Sequence, residues 1–146
     1  IDYPVIEQEA RIVRMVLDGT ISDSLAVDNL QTLTDAAGVI ALQRFAASVT
    51  LDDAVIDYAL RLVRSTREQN GLARGAGPRA SIALCTAARA QALIEGRDFV
   101  IPDDIKSVAR PVLRHRIQLS ADAEIEGQTP ESLLSRLLDQ VPAPRQ

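Results

Sequence analysis

Arg79 is the side chain best placed to do chemistry in this chain, because of what surrounds it. Gly75-Ala76-Gly77-Pro78 leads into it, and a long alanine-rich stretch of helical character follows. Proline suits the first helical turn, since its missing N–H would be unsatisfied there and its φ is already helical. Gly77 then falls at the N-cap and Arg79 on the second helical residue. A helix N-terminus behaves as a partial positive charge, so a cation there costs about 0.3–1 kcal/mol that an acid would gain. The mismatch disappears if an anion stands before the helix, where free backbone N–H groups already point. Arginine adds a bidentate fork that suits phosphate oxygens. The plainer alternative is an exposed surface arginine without a role.

Other chemistries lack their residues. The one lysine, Lys106, follows Ile105 and not glycine, so no P-loop is formed. There is no G-x-S-x-G elbow, no H-E-x-x-H and no cysteine pair. The acid pairs Asp52-Asp53 and Asp103-Asp104 sit at expected helix starts, where capping accounts for them. His115 is the only histidine and has no acid or cysteine at ligand spacing, which leaves it a structural or surface role. Cys85 stands alone among Ala, Leu and Thr. It reads as a small core hydrophobe, and the absence of a possible intrachain disulfide fits a reducing, cytoplasmic setting. As a free-standing enzyme the chain fails.

Charge is unevenly spread over the 146 residues. Residues 1–60 carry 3 arginines against 10 acids, residues 61–116 carry 11 basic groups against 5 acids, and residues 117–146 carry 2 against 5. A basic middle between acidic ends suits an anionic ligand, an acidic partner surface or balance within the molecule. Nucleic acid is a poor fit, because Tyr58 and Phe99 alone offer no stacking platform and helix-turn-helix binding would rest on charge alone. No apolar run reaches membrane-spanning length, and no signal peptide is visible. The opening Ile1-Asp2-Tyr3-Pro4 lacks Met and reads as a chain cut from something longer.

The elements that must position Arg79 are helical. With 47% hydrophobic but only 3% aromatic residues, the core has to be aliphatic and alanine-rich. Pro4 opens a first helix with Val5, Ile6, Ala10, Val13, Val16 and Leu17 at helical spacing, and Gly19 stops it. Residues 19–33 read as a long linker. A second helix follows from Thr34 or Asp35 to about Ser48, with Val39, Ile40, Leu42 and Phe45 on its apolar side. Thr50 and Asp53 suggest a capping-box start for a third helix ending at Asn70-Gly71, with Arg61, Arg64 and Arg67 on a solvated face. Residues 70–77 form a glycine loop, and a thin fourth helix from Pro78 to Glu95, stopped by Gly96, belongs at the centre of the bundle. Pro102 opens a fifth helix that Pro111 bends or ends. Extended segments are expected at residues 99–101 and 117–119, and an acidic loop at residues 121–128. Thr129-Pro130-Glu131 starts a last helix, and the tail from Pro142 to Arg145 ends in disorder. The expectation is an all-α bundle of about six helices, with residues 1–33 as N-terminal helix and linker and residues 34–146 as the helical domain.

Four segments in order carry a resemblance. Gly75-Ala76-Gly77-Pro78-Arg79-Ala80, Ala87-Ala88-Arg89-Ala90, Gly96-Arg97-Asp98-Phe99-Val100-Ile101-Pro102-Asp103-Asp104-Ile105 and Pro111-Val112-Leu113-Arg114-His115-Arg116-Ile117 are similar to the C-terminal part of MoxR-type AAA+ ATPases. The likeness runs through nearly the whole chain. It implies the helical lid of such an ATPase, with the Walker A and B core lying upstream. The family's sensor-2 motif reads approximately G-A-S-P-R-A, and its arginine falls on Arg79. Here Gly77 stands where the family commonly has Ser, at a cost of only a few tenths of a kcal/mol at an N-cap. The helix at about residues 35–48 resembles the additional helix that precedes sensor 2 in this clade.

What the resemblance implies is specific. Arg79 would serve catalysis at the γ-phosphate, and Gly75, Gly77, Pro78 and Arg79 would contribute to holding ATP with Mg, bound mainly by the core. The parent would hydrolyse ATP as a hexameric ring of neighbouring subunits, and would act with von Willebrand factor A domain proteins in chaperone-like remodelling or assembly. The alternative is a nucleotide-independent helical interaction module that docks an acidic partner through its basic surface, Arg114 and Arg116 included.

Overall fold

The computed structural model describes residues 3–19 and 30–144, and among these the apolar spacing becomes seven helices and two short strands. The chain divides into two compact units, residues 1–37 and 38–146. In the first, α1 (Ile6–Leu17) begins two residues after Pro4, with Val5 extended at its N-cap. Gly19 ends it at φ +68°, a conformation only glycine adopts readily. No residue of α1 is buried. Most of the expected linker, residues 20–29, lies outside the described residues.

The bundle is built from the remaining elements. Helix α2 (Ala36–Ser48) has its expected apolar residues, but Val39, Ile40, Leu42 and Phe45 are all exposed, and the core begins only at Val49. Helix α3 (Asp53–Ser65) is capped by Asp52, whose Oδ1 accepts from the Ala54 N–H at 2.7 Å. The expected cap, Thr50, is held elsewhere. Its N–H donates to the Asp98 carbonyl at 2.8 Å and its carbonyl accepts from Val100 at 2.9 Å, as a parallel bridge. Val55, Tyr58, Ala59, Leu62 and Val63 form the buried face of α3.

After α3 come β1 (Leu72–Arg74), α4 (Pro78–Ile94), α5 (Pro102–Leu113), β2 (Gln118–Leu119), α6 (Ala121–Ile125) and α7 (Pro130–Gln140). The strands pair antiparallel, Leu72 with Leu119 and Arg74 with Gln118, so the expected glycine loop contains a strand. Helix α4 is central, as its thinness demands. Ala80, Leu84, Ala88 and Ala92 fall on one buried stripe, and their small side chains let α5 and α3 approach closely. Leu134 and Leu137 of α7 close the core.

Two further expectations are corrected. Pro111 does not end α5, which continues to Leu113 because Ile105, Ala109 and Leu113 are fully buried on one face. The burial outweighs the single hydrogen bond that proline removes near a helix end. Residues 121–125, expected as part of an acidic loop, form a one-turn helix, α6, capped by the Ser120 hydroxyl, which brings the described residues of the all-α bundle to seven helices. In the tail, Arg61 Nη1 donates to the Pro142 carbonyl at 3.0 Å and Ala143 packs on the core, while Arg145, at the end where disorder is expected, lies outside the described residues. No helix among the described residues is long and apolar enough to cross a membrane.

Candidate functional site

Helix α4 starts as the residue types dictate. Gly77 is the N-cap, extended at φ −88° and ψ 178°, and gives the helix end no side-chain cap. Pro78 has no N–H to satisfy, and the Ala80 N–H turns back to the Gly77 carbonyl at 2.9 Å. Among the described residues no backbone or side-chain acceptor takes the Arg79 N–H. The Arg79 side chain is exposed, and among the same residues it meets no hydrogen-bond acceptor and no carboxylate. The first turn holds no acid, whereas α5 carries Asp103 and Asp104 in the same position. An open helix end and an unpaired guanidinium are two kinds of group that favour a nearby anion.

The loop behind that end is clamped. A Cβ on Gly75 would stand 2.6 Å from the Thr66 carbonyl oxygen and 2.7 Å from the Arg67 backbone, so glycine is required there for close approach. Thr66 is fully buried just beyond α3. Its hydroxyl donates to the Val63 carbonyl at 2.6 Å and accepts from the Ala76 N–H at 2.9 Å. Arg67 Nε donates to the Ala76 carbonyl at 2.9 Å. Both backbone groups of buried Ala76 are therefore tied to the end of α3. Gly77, by contrast, has open space on the side where a Cβ would project, with no described atom within 4 Å.

The structure thus brings Gly75, Gly77, Pro78 and Arg79 to one helix end, with unequal parts. Gly75 packs, Gly77 and Pro78 shape the start of α4, and Arg79 faces outward. Thr66 and Arg67 are the residues sequence reasoning missed. Arg67 belongs to the expected solvated face, but among the described residues only Arg64 of that trio is left without a bond, since Arg61 pairs with Asp57 at 2.8 Å. A serine-or-threonine signal at a helix end, followed ten residues later by a glycine loop, is too general to have flagged Thr66. The β1–β2 ladder places the Arg114–Arg116 turn and Gly75 at the same end of the strand pair, a proximity invisible in sequence.

Asp104, Glu95 and Cys85 are set by their packing and partners. Burial pushes the Asp104 carboxyl up, but the Arg97 guanidinium and the Ile101 N–H outweigh it and hold the group below its ordinary value. The hydrogen bond from Arg97, helped by Gln91, also lowers Glu95. Burial raises the Cys85 thiol, with Arg89 opposing, which makes it a poor nucleophile. His115 is exposed. Among the described residues no group of three acids, histidines or cysteines could hold a metal ion.

Comparison with known proteins gives one consistent pattern. The sequence profile of the AAA lid domain matches residues 64–137. The chaperone MoxR1 of Mycobacterium tuberculosis is 34% identical over 154 aligned positions, covering 99% of this chain and 39% of its own length. YeaC of Bacillus subtilis, an uncharacterized protein, is 33% identical over 144 positions, covering 99% of this chain and 43% of its own. Among solved structures, a Cytophaga hutchinsonii protein provisionally described as an ATPase superposes with a TM-score of 0.77 at 28% identity, covering 99% of this chain and 45% of that one. The chain therefore spans about two fifths of the length of the curated relatives it matches.

Proposed function

This chain belongs to the AAA lid domain family, as the helical lid of a MoxR-type AAA+ ATPase, and from that premise we propose that Arg79 is the residue through which the lid reads the γ-phosphate of ATP. One observation carries the reading: the α4 N-terminus has neither a side-chain cap nor an acid, and its exposed arginine is unpaired among the described residues. ATP with Mg is held mainly by the ATPase core of the parent protein. Phosphoryl transfer depends on positioning and on neutralising the phosphate oxygens, and a guanidinium offers both in a fixed fork.

The clamp at Ala76 gives this reading its mechanics. Arg79 stands on a helix whose start is tied to α3, so its position moves with the whole bundle. A lid carrying Arg79 closes as a rigid body while the γ-phosphate is present and reopens once hydrolysis has removed it. Neighbouring subunits of a hexameric ring and von Willebrand factor A domain proteins are the partners of this reading, and chaperone-like remodelling is its output.

The experiment is Arg79→Ala in the full-length parent. Loss of one pre-organised donor to a transition-state oxyanion costs on the order of 10²–10³ in turnover. The expected result is a loss of that size with an unchanged thermal unfolding profile, since Arg79 holds nothing in the bundle. An unaltered ATPase rate sinks the assignment.

A further inference from the structure

We propose that the outer face of α4 is a docking groove for an amphipathic helix of a partner protein, one that presents a carboxylate among apolar anchors, with Arg89 as the donor to that carboxylate. Ile82, Thr86 and Arg89 follow one another at i, i+4 and i+7 and so share one face of α4. Two grooves run along this face, and Thr86 and Arg89 line both. The first, about 440 Å³, lies against α2 and is floored by the small residues Ala46, Ala47 and Ala90. The second, about 380 Å³, lies against α3 and is walled by Leu51, Ile56 and Leu60. Leu60 and Ile82 are exposed at 43% and 68%, so apolar surface is left open to solvent.

Charge identifies the occupant. Among the described residues Arg89 is the only charged one lining either groove. Its Nε is closed off from solvent and has no hydrogen-bond partner, and no carboxylate of the described residues pairs with it. Arg89 as a whole is only half-buried, so the part of its side chain beyond the shielded Nε is open to an acceptor on a partner, and no carboxylate of the described residues competes for it. The alanine floor lets a helix backbone approach closely, and the flanking aliphatic walls suit anchors spaced by one turn, as in other helix-in-groove interfaces. Helix α4 thus carries two separate cationic positions, Arg79 at its first turn and Arg89 in its later half. The second needs no nucleotide and stands whether or not the γ-phosphate reading does.

The test is a selection of 16-residue peptides from a randomised helical phage library against the purified 146-residue chain, followed by titration of the enriched peptides. The expected result is enrichment of Asp or Glu flanked by Leu, Ile or Phe one turn away. Binding should fall at least tenfold in Arg89→Gln, be abolished by Thr86→Arg at an exposed position of the same face, and be unchanged in Arg79→Ala. Thermal unfolding of each variant separates lost binding from lost fold. Enriched peptides without an acid, or retained affinity in Arg89→Gln and Thr86→Arg, overturn the proposal. So does failure of any peptide to enrich. Concentration-dependent self-association of the chain that disappears in Arg89→Gln would hand the groove to a second copy and overturn it as well.

Discussion

Arg97 and Asp104 are joined by two parallel hydrogen bonds, Nη1 to Oδ2 at 2.8 Å and Nη2 to Oδ1 at 2.6 Å. Asp104 is almost fully buried at 2% exposure, and its Oδ2 also accepts from the Ile101 N–H at 2.8 Å. One carboxylate therefore pins the turn between α4 and α5 from both sides. Arg97 is further held by Glu95 at 2.6 Å. Asp104→Ala removes the partner of a shielded cation and leaves the first turn of α5 uncapped. The expected loss is roughly 2–4 kcal/mol, somewhat under the figure for a fully buried pair because Arg97 keeps some solvent contact. Urea unfolding of the purified chain measures it.

The same pair sets a pH dependence. Asp104 has its folded pKa lowered from an ordinary value of 3.8. A depressed carboxyl pKa gives stability that is fully present above the unfolded value and is lost as pH falls through the folded one. Wild-type unfolding free energy should therefore decline below about pH 4. In Asp104→Asn that part of the decline should be missing, because the amide does not titrate, although the variant starts less stable. Denaturation series between pH 2.5 and 6 in steps of about half a unit would compare the two slopes, and equal slopes would remove Asp104 from the acid response.

The contrast between Arg79 and Asp104 also marks how far the sequence could be read. Gly77-Pro78 opened α4 as expected and Gly96 marked its end to within one residue, Glu95 being the C-cap, because caps depend on local backbone chemistry, and Thr129-Pro130 opened α7 for the same reason. What stayed hidden depends on tertiary partners. Strands of three and two residues are too short to show alternation, so the β1–β2 pair was illegible. Thr50 satisfies the local rule for a cap, yet a bridge to residues 98–100 competes for it. Asp104 reads as a dipole acid until its burial against Arg97 is seen. At the site, Arg79 and its glycines were visible by type, whereas the clamp from Thr66 and Arg67 is a contact between helix ends ten residues apart.

The two loop glycines separate cleanly by experiment. Gly75→Ala forces a methyl into the Thr66 and Arg67 backbone, where neither neighbour is a flexible side-chain tip. Overpacking of this kind costs about 1–3 kcal/mol. Gly77→Ser meets open space with the extended geometry an N-cap requires, so it should stabilise by a few tenths of a kcal/mol. Thermal melts of the two variants should shift in opposite directions. A shared direction would show that the loop is not held by this clamp.

Thr66→Val tests whether the clamp serves Arg79 as well as the fold. Valine keeps the volume of threonine but cannot accept from the buried Ala76 N–H, which is then left without a partner. An unsatisfied buried donor costs roughly 1–3 kcal/mol, so the isolated chain should lose that much stability and remain folded. In the full-length parent a second effect is expected. With Ala76 released, the start of α4 can shift, and a displacement on the order of 1 Å is enough to lower turnover by as much as about 10²-fold. The signature that distinguishes positioning from simple destabilisation is a fall in kcat with little change in KM, measured well below the melting temperature. It should be accompanied by non-additivity with Arg79→Ala, because a residue acting through Arg79 has nothing left to position once Arg79 is gone. Equal losses from Thr66→Val in the presence and absence of Arg79 would show that the threonine supports the bundle alone.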